Sequence, residues 1–282
     1  MRLQTLLAGA LLAACATPRA PNCPATVAPG PHVVRHRALT IATRYCDVEY
    51  TAGLVADARA LAAIADRATI AVENELPFAR AAFEGVACRI HQFGFENSLA
   101  ETGSTGSFRE EVGGEYSVDM HFLALSKHAQ TGTTSAGQPF DADYLSKVVH
   151  AEFVALALDR GMRQKKAGYR LGDAPDWFRA GYPELLAITL SSERYRTVVL
   201  PRYVATVRDD PSRITFAKSI EVKARWSEGA VLMAYLRERY GKHKLLALVE
   251  SDKVTFTSAF HATFGVEVNA IEPEFTAWLA KQ

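Results

Sequence analysis

The stretch from Tyr144 to Ala187, YLSKVVHAEFVALALDRGMRQKKAGYRLGDAPDWFRAGYPELLA, sets the plan of the chain: two helical patterns joined by a basic, glycine-containing loop. Asp141 or Asp143 can cap the first helix, which begins near Tyr144 and is expected to stop at Gly161. On it, Val148, Ala151, Ala155 and Asp159 share or flank the face of Glu152, because residues three and four apart are neighbours on a helix. In the second, Pro175 suits a first turn, whereas Pro183 removes a backbone donor and predicts a kink or a fresh helix start.

Outward from this stretch the chain reads as α+β. Val33 to Tyr50 alternates as a strand or hairpin, with Leu39, Ile41 and Tyr45 expected inward, and Val86 to Phe95 and Glu115 to Ser126 read as further strands. Between them Ala52 to Phe83 contains a long amphipathic helix, expected to end near Asn74 to Pro77 and to pack on the sheet. Residues 97–114 are polar and carry four glycines, which predicts an exposed loop. Beyond Leu186 the chain reads as mostly helical, including Tyr195 to Val207, Ser227 to Tyr240, His243 to Ser251 and a segment around Phe275 to Leu279. The expected architecture is a small N-terminal mixed sheet (residues 32–128) with a packed long helix, followed by a mostly helical half (residues 141–282).

The 282 residues are 49% hydrophobic, enough to bury a proper core. Thirty-two Lys and Arg stand against thirty-one Asp and Glu, and removing residues 1–14 takes away only Arg2, leaving 31 against 31. A neutral mature chain argues against a nucleic-acid partner.

The opening MRLQTLLAGALLAAC has one positive charge, a short apolar run and small residues before Cys15, the layout of a secretory signal and too short for a membrane span. Leu12-Ala13-Ala14-Cys15 resembles a bacterial lipobox. That resemblance implies cleavage after residue 14, lipid on Cys15 and, with Ala16 in place of an acidic residue, a place at the outer membrane facing the periplasm. Residues 15–31, rich in Pro and Ala, read as a tether. Cys23, Cys46 and Cys88 then remain in a disulfide-permissive compartment; three pairings are possible, and Cys46 with Cys88 is favoured because both fall at predicted strands.

Ala151-Glu152-Phe153-Val154-Ala155, followed by Trp177-Phe178-Arg179-Ala180-Gly181, resembles a gluzincin-type zinc metallopeptidase of the HExxH class whose metal ligands are alanine. In that family two histidines one helical turn apart hold zinc, and the intervening glutamate activates the metal-bound water. A third ligand comes from a glutamate in a Trp-x-x-Glu-Gly-like sequence, and a second glutamate one turn later supports it from the outer shell. The resemblance implies that Glu152 holds the general-base position, that Ala151, Ala155 and Ala180 hold the ligand positions, and that Glu184 is the outer-shell group. It also implies a zincin-like helical half and places Trp177, Arg179, Asp159 and His150 beside the cleft. As written the chain implies no cofactor; zinc belongs to a version with histidine at 151 and 155 and glutamate at 180. Ala234 to Gly241, Leu245-Leu246, Phe260 to Gly265 and Trp278 are similar to the C-terminal helical part of such domains.

Taken alone, AEFVALAL is an ordinary buried helix. The second segment at a suitable distance shifts the balance to a pseudopeptidase or ligand-deleted scaffold. A relocated zinc site is disfavoured: His150 and Glu152, two apart, diverge on a helix, while Asp159 and Glu184 offer carboxylates, which suit Ca²⁺ or Mg²⁺ better. The remaining histidines fall singly along the sequence, and neither a GxSxG elbow nor a phosphate-binding glycine loop follows a strand. Trp226-Ser227-Glu228-Gly229 imitates the ligand-helix sequence but reads as a helix start capped by Ser227. The alternative function is a peptide- or glycan-binding envelope lipoprotein, using Glu152, Arg179 and Glu184 as fixed charges in the cleft.

Overall fold

A computed structural model describes residues 39–94, 106–112, 115–127, 141–164, 171–216, 222–223 and 226–282. The signal-like segment with Cys15 and the tether with Cys23 lie outside these residues. The architecture is α+β, with a five-stranded mixed sheet in the first half and helices in the second.

The sheet contains β1 (Leu39–Ala42), β2 (Cys46–Tyr50), β3 (Val86–Phe93), β4 (Gly106–Val112) and β5 (Glu115–Leu123) in the order β1-β2-β3-β5-β4. β2, β3 and β5 run parallel, and β1 and β4 close the two edges antiparallel. Side-chain alternation decides which face is buried. Cys46, Val48 and Tyr50, then Cys88, Ile90 and Gln92, then Tyr116, Val118, Met120 and Phe122 all turn inward. Cys46 and Cys88 are register partners on neighbouring strands and are joined by a disulfide. Two expectations change here. Leu39 is 43% exposed, so it leaves the expected inward set, whereas Ile41 and Tyr45 are half-buried and pack against the core beside the β2 residues. Residues 106–112, expected as part of a loop, form β4, because an antiparallel partner at a sheet edge supplies backbone hydrogen bonds that the local polar sequence does not advertise.

Helix α1 (Val55–Glu75) lies on the inner face, burying Ala58, Leu61, Ala62, Ile64, Ala65, Ala68 and Val72, while Ile70 is 46% exposed. A short α2 (Ala79–Phe83) follows. Helix α3 (Ala142–Gln164) is N-capped by Asp141, whose Oδ1 accepts the backbone N–H of Tyr144 at 2.8 Å. It continues past Gly161. A Cβ there would lie 2.5 Å from the Phe78 ring, so that glycine makes room for an aromatic side chain and does not end the helix.

Helix α4 (Asp176–Leu190) runs unbroken through Pro183, forgoing one backbone hydrogen bond to the Arg179 carbonyl. Then come a single π-helical segment (Tyr195–Val199), α5 (Leu200–Asp209), a two-residue ladder of β6 (Thr215–Phe216) and β7 (Val222–Lys223), and four helices. These are α6 (Trp226–Tyr240), α7 (Lys242–Val249), α8 (Phe256–Phe264) and α9 (Glu272–Leu279). Helix α6 starts at Trp226, so Ser227 is inside it and its hydroxyl donates to Glu228 instead of capping. Helix α8 has a reciprocal capping box between Thr255 and Ser258 and ends at Gly265 with φ 78°. No helix among the described residues is long and apolar enough to cross a membrane.

Candidate functional site

Helix α3 is buried over most of its circumference. Its partly open positions in the middle are Lys147, Ala151, Glu152 and Ala155, which the helical period gathers onto one stripe. Flanking residues Val149, Phe153, Val154, Leu156, Ala157 and Leu158 are at most 1% exposed. On α4 the matching position is Ala180, partly open, after which Gly181 to Ile188 are all buried. Of the positions that sequence marked on these helices, Ala151, Glu152, Ala155 and Ala180 are partly open, whereas His150, Asp159, Trp177 and Glu184 are buried.

One ion pair fixes the two helices against each other here. Lys147 Nζ lies 2.5 Å from Glu184 Oε2, with side-chain exposures of 12% and 3%. Lys147 precedes Ala151 by one turn and Glu184 follows Ala180 by one turn, so both alanines sit one turn from the same pair. Tyr203 of α5 donates to the other Glu184 oxygen at 3.3 Å. Burial, reinforced by the charge of Glu184, pushes the Tyr144 hydroxyl pKa up.

The packing behind α4 depends on glycine. A Cβ on Gly181 would fall 2.3 Å from the carbonyl carbon of Gly229, and one on Gly229 would fall 2.7 Å from the Trp177 carbonyl oxygen. The glycine after Ala180 thus lets α6 cross α4 at backbone contact. Trp177 is fully buried and packs edge-on against Phe178, Phe256 and Phe260, so it anchors α4 and does not line a cleft.

The other candidates separate from the open stripe. Arg179 is exposed and pairs with Asp176 at 2.5 Å. Asp159 accepts from the Tyr116 hydroxyl at 2.5 Å and from Arg163 Nε at 3.2 Å, tying α3 to β5 two turns beyond Glu152. His150 is 4% exposed and its Nδ1–H donates to the Ser146 carbonyl at 2.7 Å. Burial holds its pKa below the usual imidazole value, with the positive charge of Arg67 acting in the same direction.

Sequence reasoning missed Lys147 and Tyr203. Lys147 was legible only as a position four before Ala151; its partner 37 residues later depends on how the helices cross. It also treated His91 and His121 as isolated, although they stack at 4.7 Å between ring centroids on neighbouring strands β3 and β5. His91 lies 3.1 Å from both Glu49 and Asp119, and Asp119 also pairs with Arg89. Burial pushes Asp119 up, but hydrogen bonds from His91 and Arg89 more than offset this and hold its pKa below the usual value. His121 is held low by burial and by the neighbouring His91.

The donor set on the α3–α4 face does not fit zinc. Alanine methyl groups stand at 151, 155 and 180, the positions the resemblance would give to ligands, and Glu184 already faces an ammonium group. Among the described residues no group of three or more His, Cys, Asp or Glu is placed to hold a metal ion. No family model matches the chain, and neither a curated protein nor a solved structure shows significant similarity to it.

Proposed function

We propose that this chain is a zinc-metallopeptidase-like lipoprotein of the bacterial cell envelope that holds no catalytic zinc and acts by binding, not by cleaving. The observation that carries the reading is the open stripe of α3, which contains Ala151, Glu152 and Ala155 on a helix otherwise buried, next to the partly open Ala180 of α4. A helix serving only the core would close that stripe with large apolar side chains. Here small residues and one carboxylate keep it accessible, and the Lys147–Glu184 pair holds the walls in register.

Without metal ligands at this face, Glu152 has no metal-bound water to deprotonate, and the chemistry left to it is electrostatic: a carboxylate between two alanines on a stripe whose one cation, Lys147, is engaged by Glu184. That suits an extended peptide with a positively charged residue, or a glycan hydroxyl cluster, in the periplasm. The test is capture from a peptide library displayed at neutral pH. The chain is expected to retain a subset of peptides without cutting them, and Glu152→Gln is expected to lose that subset. Cleavage products from the unaltered chain would refute the reading, as would retention indifferent to Glu152.

A further inference from the structure

We propose a second ligand site, away from the α3–α4 face, that takes an aliphatic carboxylate in a trough between α5, α6 and α9. The trough encloses about 250 Å³. Its long wall is one stripe of the helix running from the π segment into α5: Arg196, Leu200, Val204 and Arg208, each four residues after the last. Twelve residues at helical rise separate the two arginines, so a guanidinium stands at each end of an apolar run about 18 Å long. Ala234 of α6 and the Trp278 ring of α9 form the opposite wall. Trp278 is held there by Tyr235 and Phe275, at 5.7 and 6.0 Å between ring centroids.

The polar groups select the ligand's charge. The Arg196 guanidinium makes one long bond, 3.4 Å from Nη1 to the Thr189 carbonyl, whereas Arg208 is already engaged by Asp209 at 3.1 Å. A largely unspent guanidinium beside an apolar wall calls for an acceptor on an apolar body, and a carboxylate supplies one. The acid on this wall, Glu238, is exposed at the rim and opposes an anion. The carboxylate therefore sits at Arg196, with the alkyl chain along Leu200 and Val204 toward Trp278.

The test is isothermal titration calorimetry of the full chain with decanoate below its micelle concentration, beside decanol and decyltrimethylammonium. Decanoate is expected to bind saturably at one per chain, and the two controls at least tenfold more weakly. Arg196→Gln, on an exposed side chain, is expected to weaken decanoate about tenfold with an unchanged circular dichroism melt. Val204→Asp is expected to abolish binding, and Glu238→Gln to leave it equal or tighter. Equal binding of decanol would reduce the trough to a nonspecific apolar surface and overturn the proposal. So would decanoate binding unchanged in Arg196→Gln, weakened in Glu238→Gln, or absent at every concentration below micelle formation.

Discussion

Lys147 and Glu184 meet at 2.5 Å across the two helices that carry Ala151, Ala155 and Ala180, and Glu184 is 3% exposed there. Removing one partner leaves the other charge in a site that was shaped for a pair, which costs about 3–5 kcal/mol for a buried pair. Lys147→Ala is expected toward the lower end of that range, since the lysine keeps some contact with solvent. Lys147→Met combined with Glu184→Gln is expected to cost less than Lys147→Ala alone. Urea unfolding of the two variants beside the unaltered chain checks both statements; a double variant that loses as much as Lys147→Ala, or more, would contradict them.

Gly181 and Gly229 let α4 and α6 touch backbone to backbone, with no space for a methyl group on either. Gly181→Ala is expected to destabilise the fold by about 1–3 kcal/mol or more, the range for overpacking a tight core. A thermal melt of that variant checks this, with Gly172→Ala as the control, because a Cβ at Gly172 meets nothing within 4 Å. An unchanged midpoint for Gly181→Ala would mean that the helices cross elsewhere.

The Cys46–Cys88 disulfide closes a loop across a sequence separation of 42. Closing a loop of that size restricts the unfolded chain and typically contributes about 2–4 kcal/mol. Replacing both cysteines by alanine is expected to lower the unfolding free energy by that amount, and thiol titration of the unaltered chain is expected to find neither sulfur free.

Stability is expected to fall on mild acidification. The folded-state pKa of His150 is depressed below its ordinary 6.5 by burial, and Arg67 opposes its charge further. The unfolded chain therefore binds the proton first, so this contribution is complete above pH 6.5 and is lost as pH falls toward and through the folded value. His121 is depressed as well and adds in the same direction. Unfolding midpoints measured from pH 7.5 to 5 are expected to decline, and the decline is expected to be shallower in His150→Leu. Identical slopes would contradict the assignment to His150.

The sequence disclosed most where periodicity was strong. The strands β3 and β5, the α1 helix and a cap at Asp141 or Asp143, of which Asp141 provides it, followed from residue type and spacing. It disclosed least where a distant partner decided the outcome. β4 exists because β5 pairs with it, and Gly161 lies inside α3 because Phe78 packs on it. Lys147 gained a role only when the crossing of α3 and α4 brought Glu184 to it. Trp177 read as a cleft residue by its place in the motif, yet the aromatic cluster from α8 claims it for the core. Local pattern located the candidate site, and long-range packing settled which of its neighbours belong to it.

The central claim is that three side chains separate this protein from a zinc site. Elemental analysis of metal in the purified chain, beside a variant carrying Ala151→His, Ala155→His and Ala180→Glu together, tests it most directly. The account predicts negligible zinc in the unaltered chain and roughly one zinc per chain in the triple variant, the usual count for a catalytic site. Stoichiometric zinc in the unaltered chain, or none in a folded triple variant, would contradict it.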